Sequence, residues 1–142
     1  MHRHVLRVRY GDTDQMGFAY CANYLRWFEI GRAEMLRDLG MSYRAVEEAG
    51  IQLPVLEAQV RYLEPARYDD AVAIETGIAE VRRASVRFGY HVVREADSRL
   101  LAWGHTEHCF LGRDGRPTRP PAALARLMEV APRAAPPVSA RE

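Results

Sequence analysis

The sequence predicts an α+β domain in which one five-stranded antiparallel sheet wraps around one long helix. Three observations carry that expectation. Residues 22–39 repeat apolar side chains at spacings of three and four, the period of a helix. Residues 4–10, and four stretches between 56 and 111, alternate with a period of two, the mark of strands. The chain has 142 residues, 48% hydrophobic and 27% charged, which suits one ordinary domain with its own core. A sheet's apolar face and a helix's apolar stripe each need the other for burial.

In the first strand Leu6, Val8 and Tyr10 alternate with Val5, Arg7 and Arg9. A turn-rich loop, Gly11 to Gly17, follows. On the long helix Tyr24, Trp27, Phe28, Gly31, Met35 and Leu39 form a stripe, while Leu25, Ile30 and Leu36 lie off it. A helix apolar around so much of its circumference is expected to be enclosed by other structure. Gly40 suits the end of that helix. Ser42 suits the N-cap of a short helix over 43–49, closed by Gly50.

After Gly50 the period changes to two. Leu56, Ala58, Val60 and Tyr62 open the series; Val72, Ile74, Thr76 and Ile78 continue it, then Val86, Phe88, Tyr90 and Val92. Residues 99–111 are apolar-rich on both faces. These read as four consecutive antiparallel strands with turns near 64–71, 82–85 and 95–98. Pro120-Pro121 opens a helix over about 121–130. Residues 131–142 carry prolines and no periodicity, which predicts a flexible tail. The expected organisation is one domain over 1–130 and a tail over 131–142. An open sheet also leaves an edge that invites a second chain.

Composition excludes several classes. The formal net charge is +1, too small for a general nucleic-acid surface. Every basic residue is arginine. No run approaches the ~18 apolar residues of a membrane span. Met1-His2-Arg3-His4 has no apolar region behind it, so no secretory leader is expected. The two cysteines, Cys21 and Cys109, form no Cys-x-x-Cys unit, and a reducing cytoplasm is the expected compartment.

The candidate chemistry narrows quickly. Asp12-x-Asp14-x-x-Gly17 begins like a calcium loop, but the fifth position is Met16 and the twelfth is Asn23, where oxygen ligands are needed. His105-Thr-Glu-His108-Cys109 looks like a metal tract, yet residues three apart on a strand face opposite ways. No metal is expected. There is no Gly-x-Ser-x-Gly elbow, no Walker A loop and no Gly-x-Gly-x-x-Gly. Cys21 lies near a helix start, which lowers a thiol's pKa, but no histidine is placed in sequence to activate it. Asp14 remains, just ahead of a helix start at about 21–23. Unpaired N–H groups there polarise a carbonyl, and a nearby carboxylate can act on it as base or nucleophile. The alternative is that Asp14 or Asp12 only caps the loop.

The run Tyr10-Gly11-Asp12-Thr13-Asp14, with Gly17, Tyr20, Asn23-Tyr24, Glu29 and Arg32 at their spacings, closely resembles the signature of the 4-hydroxybenzoyl-CoA thioesterase family and its YbgC-type acyl-CoA thioesterases. Ser42-Tyr43, Glu48 and Gly50, then Tyr68-Asp69-Asp70 and Glu80-Val81-Arg82-Arg83-Ala84-Ser85, continue the resemblance across about residues 5–130. It implies a hotdog fold, and hydrolysis of an acyl-CoA to a free acid and CoA with no cofactor beyond the coenzyme A of the substrate. It further implies a homodimer or homotetramer with sites shared between subunits.

Carried over by position, Asp14 is the nucleophile or general base, the backbone N–H of Cys21 polarises the thioester carbonyl, and Gly17 lets the loop approach closely. Relatives often have histidine or tyrosine where this chain has Cys21. Arg82 and Arg83 match residues that contact CoA phosphates, a task suited to guanidinium forks; Ala84 stands where relatives can have a third base. Ser85, Tyr20, Asn23 and Tyr24 are implied on the substrate side. Tyr24, Trp27 and Phe28 also read as core. Glu29 and Arg32, three apart on the helix, read as a structural ion pair. Two other readings remain: a non-catalytic acyl-CoA binder, and a hotdog hydratase or dehydratase. The last usually needs a histidine paired with a helix acid, and no histidine lies between His4 and His91.

Overall fold

A computed structural model describes residues 1–138 of the chain. The elements in order are β1 (His2–Arg7), α1 (Asn23–Asp38), α2 (Tyr43–Glu48), β2 (Val55–Tyr62), β3 (Ala71–Val81), β4 (Ser85–Arg94), β5 (Arg99–Cys109) and α3 (Ala122–Val130). All five strands form one antiparallel sheet, and α1 lies against it. This is the hotdog arrangement that the resemblance implies.

Each helix has a local cause. Ser42 caps α2 by accepting the Ala45 N–H at 3.1 Å. Gly40 ends the α1 region with φ +100°, a conformation glycine adopts at no steric cost. The α1 stripe is buried at Tyr24, Trp27, Phe28, Gly31 and Met35, and Leu36 beside it is buried too. Phe28 and Tyr90 stack with centroids 4.2 Å apart and planes 5° apart. Removing a fully buried ring of this kind costs about 3–5 kcal/mol.

The sheet departs from the four-strand meander expected above. Its order is β1-β3-β4-β5-β2, so β2 pairs with β5, with Val60 opposite Gly104 and Tyr62 opposite Ala102. Alternation shows that a strand is half-buried but does not name its neighbour. Residues 63–70 are a crossover instead of a hairpin turn. It is pinned by Ala19 N–H to Ala66 O at 2.8 Å, Val8 N–H to Asp70 O at 2.9 Å and Asp69 N–H to Val8 O at 2.9 Å. The sheet edges are therefore β1 and β2. On β2, Val55 is 51% and Leu56 61% exposed.

The expected tail is also corrected over its described part. Ala131 is buried. Ile78 N–H donates to Pro132 O at 2.8 Å, and Ala134 N–H donates back to Ile78 O at 3.0 Å. Proline blocks a helix but leaves its carbonyl free to accept from a strand. The expectation for residues 139–142 lies outside the described residues. Among the described residues no helix is long and apolar enough to cross a membrane.

His105 and His108 do face opposite sides. His105 Nε2 meets Glu57 Oε1 at 2.8 Å, whereas His108 is fully buried. His108 Nδ1 lies 3.0 Å from Leu53 O and Nε2 lies 2.8 Å from Thr106 Oγ1. Thr106 Oγ1 is in turn 2.6 Å from the Tyr90 hydroxyl. Burial pushes the His108 imidazole down to about 4, with the Leu53 carbonyl acting in the opposite sense.

A pH dependence follows from this histidine. Its folded pKa lies below the 6.5 of an exposed imidazole, so the unfolded chain takes the proton first as pH falls. The contribution is full above about pH 6.5 and is lost towards about pH 4, a difference of about 3 kcal/mol. Urea unfolding at about pH 7 and about pH 4.5 should show this loss, and His108→Gln should show a shallower one. Equal pH dependence in the two proteins would contradict it.

Candidate active site

The loop from Tyr10 to Ala22 is built around two aspartates with different jobs. Asp12 is the structural one. Its carboxylate accepts the Arg9 N–H at 2.8 Å, and its carbonyl accepts from Tyr20 N–H and from Asn23 Nδ2, both at 2.8 Å. These bonds tie the loop to the start of α1. Asn23 is 9% exposed and its amide also receives Arg26 at 3.3 Å. In this structure it is a loop anchor, its side-chain amide bonded to Asp12 O.

Asp14 stands on a tight turn. Its N–H donates to Phe18 O at 2.9 Å, and its carbonyl accepts the Gly17 N–H at 3.0 Å. Gly17 has φ +81°, which a side chain would oppose. Asp14 Oδ1 accepts the Met16 N–H at 2.9 Å, so the side chain is held locally. Among the described residues Oδ2 has no hydrogen-bond partner.

The start of α1 faces the same space. Ala22 occupies the N-cap with no side-chain cap. Asn23 N–H donates to Tyr20 O at 2.9 Å and Leu25 N–H to Ala22 O at 3.2 Å. Among the described residues the Cys21 and Ala22 N–H groups have no acceptor, as expected for a helix start. Asp14 and Cys21 line one cleft of about 360 Å³, with Phe18, Tyr20, Tyr24 and residues 62–65 as largely apolar walls.

Two tyrosines stiffen the cleft. The Tyr62 hydroxyl donates to Cys21 O at 2.7 Å. The Tyr24 hydroxyl accepts the Ala66 N–H at 3.2 Å. Their rings meet edge to face at 5.0 Å. Burial pushes both hydroxyls up, so both stay protonated, Tyr62 as the donor to Cys21 O and Tyr24 as the acceptor from Ala66. Tyr24 is 2% exposed, so it is core and wall at once. Tyr62 belonged to the strand pattern but carried no site signal, because only the crossover at 63–70 brings it to the helix start.

The basic turn lies elsewhere. Ser85 is opposite Cys109, while the cleft end of β5, Ala102, is opposite Val92. Ser85 to Val92 is roughly 23 Å of strand, so Arg82, Arg83 and Ser85 are at the far end of the sheet from Asp14. Arg82 pairs with Glu80 at 2.9 Å on the surface, and that hydrogen bond raises its pKa and lowers that of Glu80. The expected Glu29–Arg32 ion pair is absent among the described residues. Arg32 turns inward and donates to Tyr43 at 2.7 Å and Tyr90 at 3.4 Å. Among the described residues no three of His, Cys, Asp and Glu converge to hold a metal.

Residues 8–132 match the family model described as the Thioesterase-like superfamily. The chain belongs to that superfamily. A Bacillus subtilis relative, YneP, is 37% identical over 91 residues, 64% of this chain and 66% of that one, just under two thirds of its length. An Escherichia coli relative named acyl-CoA thioester hydrolase YbgC is 37% identical over 71% of this chain and 75% of its own. A solved gentisyl-coenzyme A thioesterase superposes with TM-score 0.80 at 25% identity, over 89% of this chain and 98% of its own.

Within this thioesterase-like chain, Asn23 is what positions the Asp14 loop against the helix. Asn23→Ala removes the buried bond to Asp12 O and leaves that carbonyl short of a donor, a loss of about 1–2 kcal/mol. Hydrogen exchange should report faster exchange at the Tyr20 and Gly17 amides with β3–β5 unchanged. Unchanged loop protection would contradict this anchoring role.

Proposed function

We propose that this chain hydrolyses acyl-CoA thioesters, with Asp14 and the N–H groups at the start of α1 as its machinery. The observation that carries the reading is that an Asp14 oxygen and the Cys21 N–H, both without a partner among the described residues, line one apolar cleft. The thioester carbonyl oxygen accepts from Cys21 N–H. Asp14 Oδ2 takes a proton from water as the water oxygen bonds to the carbonyl carbon. The tetrahedral oxyanion is stabilised by the helix start, where one such donor is worth about 10²–10³ in rate. Collapse breaks the carbon–sulfur bond, and the leaving thiolate recovers the proton. Direct attack by Asp14 Oδ2, followed by hydrolysis of the anhydride, uses the same groups.

Tyr62 adds to this. By donating to Cys21 O it polarises the Cys21–Ala22 peptide, whose N–H is that of Ala22. Tyr20 borders the same cleft, Gly17 closes the turn that carries Asp14, and the Cys21 side chain has no role in these steps. The substrate needs no metal or redox group for them.

The site is completed by a second copy. β2 is an unpaired edge with apolar residues exposed, which favours strand pairing with another chain. An antiparallel two-fold pairing of β2 edges puts the partner's β3–β4 turn at the same sheet end as this chain's cleft. Arg82, Arg83 and Ser85 would then meet the phosphates of a CoA held at Asp14 in the other subunit. The free cysteines suit a reducing compartment such as the cytoplasm.

Thiol release from acetyl-, octanoyl- and benzoyl-CoA tests the reading. Native protein should release CoA from at least one, and Asp14→Asn should lower kcat by about 10³ or more with an unchanged fold. Undiminished turnover in Asp14→Asn would refute the assignment, and tight CoA binding without any release would favour a binder. Arg82→Ala with Arg83→Ala should raise KM for acyl-CoA without a matching fall in kcat.

A further inference from the structure

A second cavity lies between α1, α2 and residues 51–54, about 500 Å³ in volume. Arg32 lines it and is 8% exposed. Its Nε donates to the Tyr43 hydroxyl at 2.7 Å and its Nη1 to the Tyr90 hydroxyl at 3.4 Å. Both partners are neutral, since burial pushes Tyr43 up and Tyr90 up to about 12. Among the described residues the ion pairs within α1 and within α2 are Glu34–Arg37 and Arg44–Glu48, and Asp38 at the end of α1 meets His2; Arg32 belongs to none. Among the described residues its Nη2 donates to no protein atom.

A buried cation that meets only neutral hydroxyls is incompletely compensated. The guanidinium fork is shaped for a carboxylate. The remaining lining selects among anions. Val46, Ile51, Leu53 and Pro54 offer apolar walls, whereas Glu29 and Glu47 are exposed at the opening. Two carboxylates at the mouth disfavour a polyphosphate and tolerate a single negative charge on an apolar body. Behind Tyr90, His108 is neutral and adds no second cation.

We propose that this cavity is a second ligand site, in which the Arg32 guanidinium binds the carboxylate of an apolar carboxylic acid. It is distinct from the Asp14 cleft, because Cys21 and Arg32 are separated by about 16 Å of helix. The same carboxylate chemistry has two sources, a free acid or the far end of an acyl group that itself ends in a carboxylate. The binding claim stands whether or not the chain hydrolyses thioesters.

Titration calorimetry with octanoate on the full chain tests it. Native protein and Asp14→Asn should bind octanoate saturably, and octanamide should bind at least about tenfold more weakly. Arg32→Gln should weaken octanoate by at least about tenfold. Should Arg32→Gln fail to fold, Tyr43→Phe removes only the orienting hydroxyl and should weaken octanoate severalfold. No saturable binding, equal affinity for octanamide, or octanoate affinity unchanged in the folded variant would overturn the proposal. Binding lost in Asp14→Asn would also overturn it, by moving the ligand to the cleft. Hydrolysis of hexadecanedioyl-CoA and palmitoyl-CoA, whose extended chains are long enough to bridge the two sites, separates the sources. A fall of about tenfold in kcat/KM confined to hexadecanedioyl-CoA in the Arg32 variant identifies the acyl end, and no such difference identifies the free acid.

Discussion

The seat of α1 on β3 governs the rest of the molecule. At Gly31 a Cβ would come within 2.5 Å of Thr76 Oγ1 and 2.6 Å of Ile74 Cγ2, closer than packed atoms tolerate. With hydrogen in that place the helix sinks onto the sheet, and Phe28 can lie flat on Tyr90. The same depth sets the position of the helix start. Tyr62 can reach Cys21 O, and Ala66 can reach Tyr24, only because α1 starts where the crossover from β2 to β3 passes.

One helix thus presents two polar regions with opposite character. At its start the Cys21 and Ala22 N–H groups have no acceptor among the described residues and lie at the positive end of the helix dipole. About three turns further along, a whole cation is drawn into the core and held by hydroxyls. Both regions want an oxygen anion. The first offers it a transient partner, the oxyanion of a carbonyl under attack, and the second a fixed fork. They differ in surroundings as well: the first opens on a cleft walled by aromatic rings, the second on a cavity with glutamates at its mouth.

Much of this was legible in residue order. The Ser42 cap, the ends of α1 and the opposed faces of His105 and His108 depend on neighbours within a few residues. The Asp14 turn could be anticipated as a site because it precedes a helix start. The Arg32 pairing could not. Spacing on a helix names Glu29 as a neighbour, but Arg32 continues the inward row of Tyr24 and Phe28, so burial takes it to Tyr43 and Tyr90. The bond from the Asn23 amide to Asp12 O was not legible either, because the signature names the residue and not its partner. The prolines after Ala131 suggested a loose end, yet a proline carbonyl accepts from β3 as well as any other.

The sequence by itself determined the element types, the family signature and the placement of Asp14 ahead of a helix. Those follow from backbone preferences and periodicities that act over a turn or a few strand residues. Only the tertiary structure decided that β2 lies beside β5, that Arg82 and Arg83 stand a sheet length from Asp14, and that Arg32 is buried without a carboxylate. The physical reason is range. Strand neighbours and buried charges are selected by the free energy of enclosing the whole core, and no short stretch of residues contains that information.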